Sequence, residues 1–255
     1  MSNYINLRGH EIWSLEWPNK GEAVVLLHGG LSATEDWDSH VLPAVEDAFH
    51  VFAYDRTGQG RTSDQIGSLH FTFQTNEAIA YLEDVVNEPA HLIGWSDGGI
   101  IALMVAIQRP DLVKSIVAIG ANFHYKHGGE AIALWEISES DRQEHAERSP
   151  DAPEALDSKV ARMWAIWNTE PTLTENDLKK ILCPTLILAS DDEGFSFAHI
   201  TSMYEAIPQG QLAIVPGTSH YAIKEKPKLT QTIIKDFLAD LVPPVTRQPV
   251  RRKRP

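Results

Sequence analysis

Cysteine is nearly absent from this chain. Its 255 residues hold one, Cys183, which excludes an intrachain disulfide and any cysteine-based metal cluster and fits a reducing compartment. Long apolar runs are missing too, since none approaches the roughly 20 residues that a membrane-crossing helix needs. Residues Met1–His10 show no basic stretch followed by an apolar one, so no signal peptide is read and a cytoplasmic location is expected. Basic residues are scarce and unevenly placed. There are 22 against 35 acidic ones, and Arg247, Arg251, Arg252, Lys253 and Arg254 all fall in the last fifteen residues. The rest of the chain therefore carries 17 basic and 35 acidic side chains. Such an acidic body is a poor binder of nucleic acid, and neither a nucleic-acid nor a membrane partner is expected. The tail reads as a disordered, solubilising terminus, with a nucleic-acid or membrane-surface arm as the alternative. No internal repeat, heptad or low-complexity tract is found. The glycine-rich segments lack the lysine of a phosphate-binding loop, so no metal, nucleotide or flavin cofactor is implied.

What is present is a globular composition, 43% hydrophobic, on a length that suits one sizeable domain. Apolar segments at Tyr4–Leu7 and Ile12–Trp17 flank the turn Arg8-Gly9-His10-Glu11, which predicts an opening hairpin. From Val24 onward strands and helices alternate. Strands are expected at Val24–Leu27, His50–Tyr54, Ala90–Gly94, Leu112–Ile119, Thr185–Ala189 and Gln211–Val215. Helices are expected at Asp38–Asp47, Phe73–Asn87, Gly98–Gln108, Phe197–Ala206 and Pro227–Leu241. That alternation predicts an α/β fold, a mostly parallel sheet of about eight strands covered by helices on both faces. Between Asn122 and Leu178 the rhythm breaks, and helical patterns appear around Ala131–Ile137 and Lys159–Trp167. Helices inserted after the sixth strand would sit at the carboxyl ends of the strands, where open α/β sheets bind ligands. The segment is read as a lid, with Trp135 and Trp164 facing the pocket. The expected division is a core at 1–121, the lid at 122–178, the rest of the core at 179–241 and the basic tail at 242–255.

Residues 92–99 read Leu-Ile-Gly-Trp-Ser-Asp-Gly-Gly. A short buried strand runs into Gly-x-Ser-x-Gly and then straight into an apolar helix, the sequence of a nucleophile elbow with Ser96 at its tip. A serine in that place attacks carbonyl carbon, so the chain reads as a hydrolase or acyl transferase. Its hydroxyl needs a base, an acid that orients the base, and donors for the oxyanion. Carboxylates follow one later strand, in Ala189-Ser190-Asp191-Asp192-Glu193, and a histidine follows the next, in Val215-Pro-Gly-Thr-Ser-His220. The order is serine, acid, histidine, each at a strand's carboxyl end.

With these parts in order the chain resembles the α/β-hydrolase family over nearly its whole length. Leu27-His28-Gly29-Gly30-Leu31 looks like the family's oxyanion loop. The stretch from Tyr54 to Ser63 resembles its Asp-x-Arg-Gly-x-Gly-x-Ser signature, with a departure at Thr57. The elbow and Pro216-Gly-Thr-Ser-His220 complete the set. The resemblance implies Ser96 as nucleophile and His220 as base. It places the acid at Asp192, with Asp191 the alternative, although the family's glycine and proline around that acid are replaced by Ala189 and Ser196. It implies backbone amides of Asp97 and of Gly30 or its neighbour Leu31 as oxyanion donors, with Leu31 also touching substrate. His28 and Asp55 become structural, bracing their loops.

The phrase Gly-Trp-Ser-Asp-Gly-Gly further resembles the branch that includes valacyclovir hydrolase and biphenyl-hydrolase-like proteins. That branch contains hydrolases of amino-acid esters, which raises the expectation that the Asp97 carboxylate meets a substrate ammonium, against a side chain that only caps its helix. The function implied is hydrolysis of a small carboxylic ester through an acyl-enzyme, with cationic or neutral esters preferred. The same fold also serves amide, lactone or carbon–carbon hydrolysis, cofactor-free perhydrolysis, and ligand-binding receptors with little turnover. The partner expected is a small-molecule ester, with the oligomeric state left open.

Overall fold

The computed structural model describes residues 1–129, 136–242 and 246–248. The expected helix at Ala131–Ile137 therefore falls almost wholly outside the described residues, as do Trp135 and most of the basic tail.

Eight strands form one sheet. They are β1 (Ser2–Leu7), β2 (His10–Trp17), β3 (Ala23–Leu27), β4 (His50–Tyr54), β5 (Ala90–Trp95), β6 (Val113–Ile119), β7 (Thr185–Asp192) and β8 (Gly210–Ser219). Their spatial order is β1-β2-β4-β3-β5-β6-β7-β8. The first two pairings, β1 with β2 and β2 with β4, are antiparallel, and all later ones are parallel. Leu7 pairs with His10 across a two-residue turn in which Arg8 and Gly9 both have positive φ, 50° and 95°, the geometry a tight hairpin demands.

Strand β3 shows why the sheet lies in the middle. All five of its residues are buried, and their alternation feeds two cores. Val25 and Leu27 face one side, with α1 (Phe71–Tyr81) and α2 (Asp97–Gln108). Val24 and Leu26 face the other, with Trp37 and the carboxy-terminal helix. From β3 the chain goes to β4 on one side and later returns to β5 on the other, so a crevice opens beyond the carboxyl ends of β3 and β5. No helix among the described residues is long and apolar enough to cross a membrane. Cys183 packs against the first core, and burial pushes its thiol up to about 11.

Two expected helices differ. In place of a helix over Asp38–Asp47 there are short 3₁₀ turns at Thr34–Trp37 and Leu42–Ala44. Pro43 stands in that span, lacks an N–H and clashes with the preceding turn of an α-helix. The helix expected over Phe73–Asn87 is α1 followed by a wider π turn at Leu82–Val86, ended by Asn87 at φ 58°. Between β6 and β7 lie α3 (Glu139–Arg148), α4 (Ala155–Trp167) and α5 (Glu175–Leu178). Helix α3 was not foreseen, because it buries none of its residues and has no apolar face to read. It starts instead on a Ser138–Asp141 capping box. Helices α6 (Phe197–Ala206), α7 (Ala222–Glu225) and α8 (Pro227–Ala239) follow among the described residues.

Helix α2 approaches the strands beneath it very closely. A β-carbon built on Gly98 would lie 1.8 Å from the Leu27 carbonyl oxygen, and one on Gly94 would lie 2.2 Å from the Gly98 carbonyl carbon. Both obstacles are backbone and cannot rotate away. Gly98→Ala is expected to lower unfolding free energy by about 3 kcal/mol, the upper end of overpacking penalties, measured by urea denaturation. A change under half that size would show that helix and strands move apart cheaply.

Candidate active site

The site is assembled from the loops that follow β3, β5, β7 and β8. Register brings the first two level, because Leu27 pairs with Gly94 at the ends of β3 and β5. Ser96 follows at φ 54° and ψ −119°, a backbone conformation that a side-chain-bearing residue adopts only under constraint. Its N–H donates to the Ile119 carbonyl at 2.8 Å, while its own carbonyl accepts from Gly99 and Ile100. The strained residue is thus held on both sides, with its hydroxyl left at the tip.

That hydroxyl lies 2.9 Å from His220 Nε2, and His220 Nδ1 lies 2.8 Å from Glu193 Oε1. The acid in contact with the histidine is therefore Glu193, which corrects the expectation of Asp192. Strand β7 runs on to Asp192, beyond the expected end at Ala189, and Asp192 pairs with Ser219 across an irregularity in the β7–β8 register. Asp191 and Asp192 are thereby kept in the strand and exposed, and Glu193 becomes the first residue free to turn inward. Its extra methylene covers the added reach, and its side chain is 2% exposed. Asp191, the alternative acid, instead accepts from the Thr218 N–H at 3.1 Å, and backbone N–H groups of Gly217 and Thr218 hold its carboxyl below the usual range. The His220 carbonyl accepts from Trp95 Nε1 at 3.1 Å, which fixes the residue beneath the ring.

The loop after β3 is braced from below. Arg56 is fully buried, and its guanidinium donates to the carbonyls of His28 and, at 2.9 Å, Gly29. His28 is fully buried as well. Its Nδ1 donates to the Gly29 carbonyl at 2.7 Å and its Nε2 accepts the Arg56 N–H at 3.1 Å. Burial and the neighbouring Arg56 charge push its pKa well below the usual value, so the ring is a neutral brace. A trans peptide points its C=O and N–H in opposite directions. With the Gly29 carbonyl drawn inward to Arg56, the Gly30 N–H is turned outward to the cleft that Gly30 lines. The Asp97 N–H opens α2 and so has no carbonyl one turn before it. Leu31, at φ 52°, continues the loop and lines the same cleft. Asp55 is buried under the next turn, where it accepts from the N–H groups of Thr34 at 2.7 Å and Arg61 at 2.8 Å.

Asp97 neither caps its helix nor stands open to solvent. It is 2% exposed, and both oxygens face Trp167 Nε1, at 2.9 and 3.2 Å. Burial raises its pKa, opposed by Arg56, by the Trp167 hydrogen bond and by His220. Trp164 is 37% exposed and does not line the cleft. The tryptophan of α4 that does is Trp167. The buried face of α4 is set by Leu156, Val160, Met163 and Ile166, and Trp164 sits off it by about 100° per residue from Met163. Trp135 lies outside the described residues.

The cleft encloses about 750 Å³, the size of small-molecule sites, with Ser96, Asp97, Trp95, Trp167, Glu193 and His220 in its lining. Its lining also holds Glu35, Asp36, Asp141 and Glu144 against Arg148 and Lys224, with Lys224 paired to Asp36 and Arg148 set between Glu35 and Glu144. Among the described residues no group of three or more His, Cys, Asp or Glu side chains is placed to hold a metal ion.

Sequence reasoning missed Glu193, Trp167 and the bracing role of Arg56. A further buried acid stands behind Arg56. Glu77 accepts from the Thr57 N–H at 3.2 Å and from the Thr57 hydroxyl, and burial pushes its carboxyl up to about 7 from the ordinary 4.5. The folded state therefore holds this proton more tightly than the unfolded chain does. The stability the proton contributes is full below about pH 4.5 and is lost as pH rises through about 7. Relative to Glu77→Gln, the wild type is expected to lose about 3 kcal/mol of unfolding free energy across that window. Parallel pH profiles in the two proteins would contradict the shift.

Comparison with known proteins gives the family and the fold. An "AB hydrolase superfamily protein" of Gibberella zeae is 25% identical over 233 residues, spanning 86% of this chain and 80% of that protein. An (E)-2-((N-methylformamido)methylene)succinate hydrolase of Acinetobacter baylyi is 22% identical over 244 residues, spanning 86% and 91%. Among solved structures, a serine hydrolase involved in carbazole degradation superposes with a TM-score of 0.78 at 20% identity, covering 94% of this chain and 98% of that one. The profile of the alpha/beta hydrolase family matches residues 24–230. The chain belongs to the alpha/beta hydrolase family.

Proposed function

We propose that this protein is a serine hydrolase of small carboxylic esters, working through an acyl-enzyme on a Ser96–His220–Glu193 triad. The observation that carries the reading is the continuous hydrogen-bonded line from the Ser96 hydroxyl through His220 to Glu193, at 2.9 and 2.8 Å, with the serine on a strained turn in the cleft.

In this mechanism Glu193 accepts the Nδ1–H of His220, which leaves Nε2 as the acceptor for the serine proton. As that proton moves, Ser96 Oγ bonds to the ester carbonyl carbon and the carbonyl electron pair passes to oxygen. The N–H groups of Asp97 and Gly30 meet the oxyanion. When the carbonyl reforms, the bond to the alcohol oxygen breaks, and the alcohol leaves with the proton from His220 Nε2. Water then gives a proton to His220, attacks the acyl carbon, and the acid departs as Ser96 recovers its proton. The small-molecule ester is the proposed partner, and no step calls on a cofactor. The same geometry serves amide, lactone or carbon–carbon bonds, so ester turnover separates these readings from one another and from a receptor.

The acidic surplus around the cleft favours neutral or cationic esters over anionic ones. A substrate ammonium, however, would have to displace Trp167 to reach Asp97, so cation preference rests on the acidic lining rather than on that carboxylate. With p-nitrophenyl acetate as substrate, Ser96→Ala and His220→Ala should fall to background. Glu193→Gln should lower kcat by about a thousandfold or more, as loss of the orienting acid does elsewhere, while Asp192→Asn stays close to wild type. An Asp192→Asn loss matching that of Glu193→Gln would return the acid to Asp192. A neutral p-nitrophenyl ester should exceed a hemisuccinate of the same phenol by about tenfold in kcat/KM at low salt, and added salt should narrow the gap. Equal rates would remove the electrostatic argument.

A further inference from the structure

The cleft has two walls of different make-up. On one, the His220 ring packs with Trp95, Phe195 and Tyr221, at centroid separations of 6.0, 5.9 and 5.9 Å. On the other, Trp167 lies over Gly30. A β-carbon built on Gly30 would stand 2.6 Å from Trp167 Cζ2 and 2.3 Å from Asp97 Oδ2, so indole and carboxylate both press against the loop that turns its amide to the cleft. The indole is tethered there. Its N–H faces both Asp97 oxygens at 2.9 and 3.2 Å, a charge-assisted contact on a carboxylate 2% exposed. Asp97 is the first residue of α2 and cannot shift without moving the elbow.

The reaction assigns the two walls different halves of an ester. Of the four groups on the tetrahedral carbon, one is Ser96 Oγ and one is the oxyanion. The leaving oxygen must reach His220 Nε2 to take its proton, so the alcohol half lies along the wall that holds His220. The acyl chain is left with the remaining direction, and Trp167, which lines the cleft over Gly30 and is not among the rings packed on His220, is the bulky side chain available to meet it.

We propose that Trp167, held in place by Asp97, is the stop at the acyl end of the cleft and restricts this protein to esters of short-chain acids, with the larger freedom on the alcohol side. The inference rests on the serine-hydrolase reading above. In it Asp97 has two parts: its amide meets the oxyanion, and its carboxylate positions Trp167 and is not a counter-ion for the substrate.

The test uses p-nitrophenyl acetate, butyrate and octanoate with the full chain. In the wild type kcat/KM should fall at least about tenfold from acetate to octanoate, the scale on which a pocket wall rejects added methylenes. Trp167→Ala should raise the octanoate-to-acetate ratio by at least about tenfold. The ratio is taken within one preparation, so a reduced folded fraction cancels. Trp167→Leu, which keeps an apolar side chain on α4, gives a smaller rise and serves if the alanine variant does not fold. Asp97→Leu, which removes the tether but leaves the ring, should move the ratio in the same direction, and Asp97→Asn, which keeps an acceptor, should move it less. A wild-type profile that is flat or favours octanoate overturns the proposal, as does an unchanged ratio in both Trp167 variants. If those results come with turnover that Ser96→Ala abolishes, the acyl stop alone has failed. If no ester is turned over, or Ser96→Ala retains wild-type rates, the hydrolase reading has failed and the acyl stop falls with it.

Discussion

The contact on which the rest depends is the close seating of α2 on the ends of β3 and β5. Gly94 and Gly98 leave no room for a side chain between helix and strands, with backbone of Gly98 and Leu27 as the obstacle. A strand that must pass into a helix across so short a distance has to turn sharply, and Ser96 takes the positive φ that the turn requires. The cost of such a conformation is about 1–3 kcal/mol. It is offset by hydrogen bonds on both sides of the residue and by a helix whose face is almost entirely buried. The same seating sets the start of α2 at Asp97, and so fixes both an amide and a carboxylate beside the serine hydroxyl.

Around that contact the charges are arranged to keep the loops still. Arg56 has no access to solvent, and its guanidinium holds the carbonyls of His28 and Gly29. Burial lowers its pKa, and the neighbouring acids Asp97, Glu77 and Asp55 work against that loss. A buried cation is stable only while its hydrogen-bond acceptors stay, and for Arg56 these are the His28 and Gly29 carbonyls. Burial pushes the Glu77 carboxyl up, and the neighbouring Arg56 charge works against that rise. The Asp97 carboxylate would repel an oxyanion forming next to it. Arg56 on one side and the Trp167 N–H on the other reduce that repulsion.

Much of this was legible from the chain. The alternation of strands and helices gave the sheet, because buried parallel strands read as apolar runs and β3 is buried at every position. The elbow, the Leu27–Leu31 loop and His220 could be found because each is a compact signal at a strand's end. The acid could not be read as directly. Three carboxylates stand in a row at Asp191, Asp192 and Glu193, and which one turns inward depends on where β7 stops pairing with β8, a long-range matter of register. Trp164 and Trp167 lie on one helix, and its phase against the core decides which enters the cleft. Helix α3 escaped because it exists through capping and charge, with no buried face to leave a periodic trace. Over Asp38–Asp47 the apolar spacing suggested a helix, and Pro43 was the available signal against it.

In the proposed mechanism Ser96 carries the acyl group between the two halves of the reaction. The most direct measurement is mass spectrometry of the protein quenched in acid shortly after mixing with p-nitrophenyl acetate, followed by peptide mapping. One acetyl group per chain is expected, on the peptide that contains Ser96, formed before steady turnover and absent in Ser96→Ala. Steady ester turnover with the acetyl group on another residue, or retained in Ser96→Ala, would contradict the mechanism.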